Sequence, residues 1–146
     1  MAVNNIKALV KTKTYYDHFE LNSLSAPSIS IVMTASNRSK QTYYTLNTVM
    51  ESSVKDIHVV LVDDSDIDPI ELQKLKIYPF NIDFIRIKKG MKNWLNPCVN
   101  YNIGFQFIKG KKVIIQNAEV AHVGDVLSYI QHTVDTSQYY VFDVKA

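Results

Sequence analysis

Ile57 to Asp66 reads IHVVLVDDSD, a short apolar run broken only by His58 and followed at once by Asp63, Asp64, Ser65 and Asp66. A run without regular polar alternation suits a strand covered on both faces, the usual condition of strands in parallel sheets. Such sheets collect ligands beyond the carboxyl ends of their strands. The acidic cluster therefore falls where chemistry is expected.

Working outward, Ser28 to Thr34 (SISIVMT) reads as an earlier strand, set off by Pro27 and the polar loop Ala35-Ser36-Asn37-Arg38. Ser39 or Asn37 can cap a helix through about Ser52, with Tyr43, Leu46, Val49 and Met50 on one face. After the acidic cluster, Pro69 suits a first helical position, with Ile70, Leu72 and Leu75 following. Ile82 to Ile87 reads as a third strand, and Lys88 to Leu95 as a loop holding Gly90 and Trp94. Asn96-Pro97 starts a helix carrying Val99, Ile103 and Phe107, and Gly110 stops it. Cys98 falls in this helix as a small core residue. Lys112 to Leu127 (KVIIQNAEVAHVGDVL) gives a strand that ends in Asn117 and Glu119, then a helix over Gly124–Val134. Tyr139 to Val144 (YYVFDV) reads as a last strand. The sum is an α/β domain over 28–146, a Rossmann-like, mainly parallel sheet with helices on both faces. Residues 1–27 read as an extension or linker, with Ile6, Leu9 and Val10 on one face of a short helix.

Composition sets the class. At 47% hydrophobic and 21% charged the chain has material for one core. A net charge of +2 with scattered lysines gives no footprint for nucleic acid. One cysteine excludes an intramolecular disulfide and a cysteine-based metal site. No apolar run is long enough to span a membrane, and the N-terminus lacks the apolar centre of a signal peptide, so a cytoplasmic setting is expected. GxxxxGK[ST] and GxGxxG are both missing, which excludes a P-loop and the dinucleotide fingerprint. Phosphorelay receivers need acids after the first and third strands; here those strands end in Thr34 and Lys88.

Alone, Asn117 to Glu119 reads as a polar turn as readily as a cation or phosphate site. Three polar strand ends on one sheet edge give it a context. A carboxylate after the second strand can accept the imide N–H of a uracil, or an amine of another base. The Thr34–Arg38 loop can contact the base from the other side. A cation at Asn117 and Glu119 can bridge the phosphates of a nucleotide diphosphate.

SIVMTASNR, HVVLVDDSD and NYNIGFQFIKGKKVIIQNAEV, in that order, resemble the nucleotide-binding half of a GT-A glycosyltransferase of the family 2 type, over roughly Ser28 to Ile130. The resemblance implies sugar transfer from a nucleotide-diphosphate sugar, a UDP-sugar first among them, to an acceptor glycan or other hydroxyl compound. It implies nucleotide contacts at Thr34, Ala35, Ser36, Arg38, Asp63, Asp64 and Asn96. Asn117 and Glu119 fall on the family's DxD motif, implying a weakly held Mn²⁺ or Mg²⁺. His122 is either a further metal or sugar contact or a satisfied loop histidine.

Two features depart from the family pattern. The motif is Asn-Ala-Glu, which lacks one acid. Ser36 stands where an aromatic often stacks on the base; Tyr43 and Tyr44 could replace it, although their spacing suits helix packing. The acceptor-binding half, which carries the general base in inverting enzymes, is not expected within these residues. A completing chain or an oligomer would supply it. The alternative is a non-catalytic nucleotide-sugar-binding or partner-assembly module with a degenerate DxD.

Overall fold

The computed structural model describes residues 15–23, 26–135 and 137–144. The helix expected around Ile6–Val10 lies outside them. Five strands form one sheet: β1 (Tyr16–Leu21), β2 (Ile29–Ala35), β3 (Ile57–Asp63), β4 (Asn81–Ile87) and β5 (Lys112–Asn117), in the spatial order β1-β4-β3-β2-β5. β4, β3, β2 and β5 run parallel, while β1 pairs antiparallel with β4. The mainly parallel sheet is therefore as the sequence indicates, with an antiparallel edge strand inside the stretch read as an extension.

Among the described residues four helices accompany the sheet: α1 (Ser39–Met50), α2 (Leu72–Leu75), α3 (Cys98–Gly104) and α4 (Val126–Thr133). Alternate residues of β2 point to opposite faces. Ile29, Ile31 and Met33 pack with Leu46 and Val49 of α1 and Leu127 and Ile130 of α4. Val32 packs on the other face with Val60, Val62, Val99 and Ile103. Every residue of β3 is buried, which accounts for its unbroken apolar run.

α3 is shorter than its periodicity predicts; it passes into a 3-10 turn at Phe105–Phe107 before reaching Gly110. Gly104 sits where a Cβ would lie 2.9 Å from Val32 Cγ1 and 3.2 Å from Val62 Cγ2. A methyl group there must push the helix off the sheet. Gly104→Ala is expected to cost about 1–3 kcal/mol in a urea unfolding titration; an unchanged midpoint would show that α3 is not held this closely.

Tyr139–Val144 is not a strand. Its residues favour strand geometry but pair with no strand, and they lie exposed, with Phe142 meeting Tyr129 edge to face. Cys98 is also exposed at the start of α3, rather than in the core. Asn96 and Pro97 lie just before the helix, Pro97 at its N-cap, and Asn96 Oδ1 accepts the Cys98 N–H at 2.9 Å.

On the α3 face, toward the amino ends of β2 and β3, lies a buried polar cluster. Asp83 accepts hydrogen bonds from or pairs with His18 (2.6 Å), His58 (2.8 Å) and Lys109 (2.9 Å). His58 Nδ1 lies 2.9 Å from Ser30 Oγ, which in turn accepts the Gly110 N–H. Burial alone would raise the Asp83 carboxyl, but His58, Lys109 and His18 together hold it well below the usual carboxylate range. The cluster ties β1 and the approach to β5 onto the middle of the sheet.

Candidate functional site

The strand order brings three polar ends side by side. β2 lies between β3 and β5, with Ala35 opposite Asp63 and Thr34 opposite Asn117. The ends of β3 and β5 are thus two strand spacings apart, about 10 Å. This is also the switch point, since β3 and β5 flank β2 on opposite sides.

The two acids after β3 divide their roles. Asp63 is buried and structural: Oδ1 accepts the Ser65 N–H, Oδ2 accepts the Ile70 N–H, and Arg86 pairs with Oδ2 at 3.0 Å. Asp64 lies just beyond the end of β3 and is 6% exposed. Its backbone N–H donates to Ala35 O at 3.0 Å. Its Oδ2 receives Lys92 Nζ at 2.5 Å and Asn100 Nδ2 at 2.6 Å. Oδ1 is buried and has no hydrogen-bond partner among the described residues. Burial would raise this carboxyl, but bonds from Lys92 and Asn100, with Ser36 adding to them, keep it below the ordinary range. Asp64 is therefore an ionised carboxylate with one spare acceptor, and such an oxygen is costly to bury unless a ligand donor meets it.

The loop after β2 is tied to the loop after β3. Asn37 adopts a left-handed backbone (φ 54°). Its N–H donates to Ser65 Oγ at 2.6 Å, and its Oδ1 accepts the N–H groups of Asp66, Ile67 and Asp68. Asp68 in turn caps α1 through Ser39 N and Oγ. Ser36 and Arg38 are left exposed on this platform, while Ala35 is buried and takes part through its carbonyl.

Beyond β5, Tyr101 from α3 donates toward Gln116 O (3.0 Å) and Asn117 Oδ1 (3.1 Å). Thr34 reaches the same hydroxyl, whose pKa is raised chiefly by burial. Glu119 Oε1 pairs with Arg38 NH1 at 2.5 Å. His122 Nε2 lies 2.9 Å from Gln116 Oε1, its N–H donates to Thr48 Oγ1, and burial lowers its pKa toward the neutral imidazole. His122 is thus engaged away from Glu119.

Thr34, Ala35, Ser36, Arg38, Asp64, Asn117 and Glu119 all lie along one edge of the sheet. Asp63 lies beneath it as a support, and Asn96 serves the first turn of α3. Asn100, Lys92 and Tyr101 complete the site and were not singled out by the sequence. Neither an asparagine within a helix nor a lysine in a loop carries a signal of its own. Tyr43 accepts the Glu71 N–H through its hydroxyl, and Tyr44 is exposed on α1; the first is a packing role.

The residues that the resemblance assigns to a divalent cation do not form a good donor set. One ligand is a neutral amide already accepting from Tyr101, and the other is a carboxylate already paired with a guanidinium. Among the described residues, no three or more His, Cys, Asp or Glu side chains gather as a metal centre. Hard cations are held by several oxygens, and affinity falls with their charge count.

The sequence model described as "Glycosyl transferase family 2" matches residues 30–145. No curated protein matches the chain. Among solved structures, it is similar to the crystal structure of S. aureus TarS 1-349, with a TM-score of 0.57 at 20% identity, over 70% of this chain and 32% of that one. It is similar also to a second S. aureus TarS crystal structure, with a TM-score of 0.51 at 18% identity, over 70% of this chain and 19% of that one. The chain thus spans a third or less of these structures. Among the described residues, no helix is long and apolar enough to cross a membrane.

Proposed function

Because the chain belongs to glycosyl transferase family 2, we propose that its cleft holds the nucleotide of a nucleotide-diphosphate sugar for transfer of the sugar to an acceptor hydroxyl. Asp64 is the observation that carries this reading: an ionised, nearly buried carboxylate with one unpartnered oxygen, at the switch point of a parallel sheet. That oxygen suits an N–H on a base edge, and the imide of uracil supplies one, so a UDP-sugar is the proposed donor. Ser36 and the backbone of the Asn37 platform flank the base. The distance from β3 to β5, about 10 Å, suits a nucleoside whose diphosphate lies toward Arg38 and Glu119. In this reading the acceptor, a glycan or other hydroxyl compound, and the group that deprotonates it belong to a further half supplied by a longer polypeptide or a completing chain.

Calorimetric titration with UDP and GDP tests the reading. Saturable binding of at least one of them, UDP the tighter, is the expected result. No heat of binding with either at millimolar concentration would sink it.

A further inference from the structure

The end of the cleft at β5 contains its own counter-ion. Glu119 is the carboxylate of Asn117-Ala118-Glu119, and it is paired with Arg38 across the gap between β5 and the β2–α1 loop. Asn117 contributes no charge and is held by Tyr101. A divalent cation would find one charged ligand here, and only by displacing a guanidinium 2.5 Å away.

Resting on the nucleotide reading above, we propose that this chain holds the diphosphate of its donor with the Arg38 guanidinium and without a divalent cation, Glu119 being the internal anion that the diphosphate displaces. Three features make the exchange favourable. The Arg38 side chain is 53% exposed, so it can turn without disturbing the core. Exposed ion pairs are weak, whereas a diphosphate presents more charge and more oxygens to the planar fork of a guanidinium, which binds phosphate in a bidentate manner. The backbone of Arg38 is anchored, because its carbonyl accepts from both Thr42 N (3.0 Å) and Thr42 Oγ1 (2.8 Å) at the start of α1. In the free protein the ion pair leaves this end of the cleft without net charge; in the complex Arg38 serves the ligand.

The test is calorimetry of UDP and GDP with wild-type protein, Arg38→Ala, Arg38→Lys and Glu119→Gln, each in chelator and again in Mn²⁺ or Mg²⁺. Circular dichroism confirms that each variant is folded. Wild-type affinity is expected to change by less than about threefold between chelator and metal. Arg38→Ala should weaken binding at least about tenfold, with Arg38→Lys recovering part of the loss. Glu119→Gln, which removes the competing anion, should tighten binding about two- to fivefold. Metal that tightens wild-type binding about threefold or more overturns the proposal but leaves the nucleotide reading standing, as does wild-type affinity in Arg38→Ala or weaker binding in Glu119→Gln. Absence of binding of either nucleotide under every condition overturns both.

Discussion

Replacing Asp64 with Asn is expected to weaken UDP binding by about thirtyfold or more, the equivalent of about 2 kcal/mol. The substitution keeps the size of the side chain, so the platform formed with Ala35 and Asn37 should persist. It removes the charge that Lys92 answers at 2.5 Å, and it replaces one acceptor oxygen with a donor. A base N–H arriving at the site then meets either an amide N–H or a poorer acceptor. Lys92, with only 32% of its side chain exposed, loses its anion as well. Calorimetry on Asp64→Asn and Asp64→Ala, beside a urea melt of each, separates lost recognition from lost folding. Unchanged affinity in both variants would remove Asp64 from the binding site.

Asp83→Ala is expected to destabilise the fold by about 3–5 kcal/mol, a large part of the 5–15 kcal/mol typical of a small domain. The carboxylate is 1% exposed and anchors His58, which is itself fully buried, with Lys109 and His18 around them. Its removal strands His58, which no water reaches, while His18 and Lys109, 22% and 37% exposed, can turn to solvent and Lys109 keeps Glu20. The same group sets an acid limit. Its folded pKa is depressed, so its contribution is complete above the unfolded carboxylate value of about 4 and is lost as pH falls from there through the folded value. Urea midpoints measured from pH 6 down to pH 3 should fall steeply below about pH 4 in the wild type, and less steeply in Asp83→Ala. Similar slopes in the two proteins would show that the acid sensitivity arises elsewhere.

The four parallel strands could be read from the sequence because β2 and β3 are dense apolar runs, β4 sets Ile82, Phe84, Ile85 and Ile87 around Asp83 and Arg86, and β5 centres on Val113-Ile114-Ile115; the polar residues that follow three of them lie at the switch point. β1 was not legible. YDHFEL is an edge strand with Asp17, Phe19 and Glu20 exposed, and its inward positions include His18, whose partner Asp83 lies 65 residues away. An inward histidine breaks the alternation that would have marked the strand. The opposite error occurred at YYVFDV, where strand-forming residues find no ladder to join, since propensity acts only through neighbours. Asp64 could be placed at a strand end, but its surroundings could not. Asn100 and Lys92 reach it from a helix and a loop 36 and 28 residues on, and only the folded sheet brings them there. The pairing of Arg38 with Glu119, 81 residues apart, was invisible for the same reason.

Asn37 has a consequence for the thermodynamics of recognition. One amide oxygen receives three consecutive N–H groups, while the same residue's N–H reaches Ser65. The two loops flanking the proposed base position are thereby tied together before any ligand arrives. Little backbone freedom remains to be lost on association at that end, so the entropic penalty of ordering should fall instead on long side chains such as Arg38. On the proposed reading, selectivity for the base would be a property of a preorganised floor, and grip on the phosphates a property of an exposed arm. Evolution or engineering could retune either one while leaving the other in place.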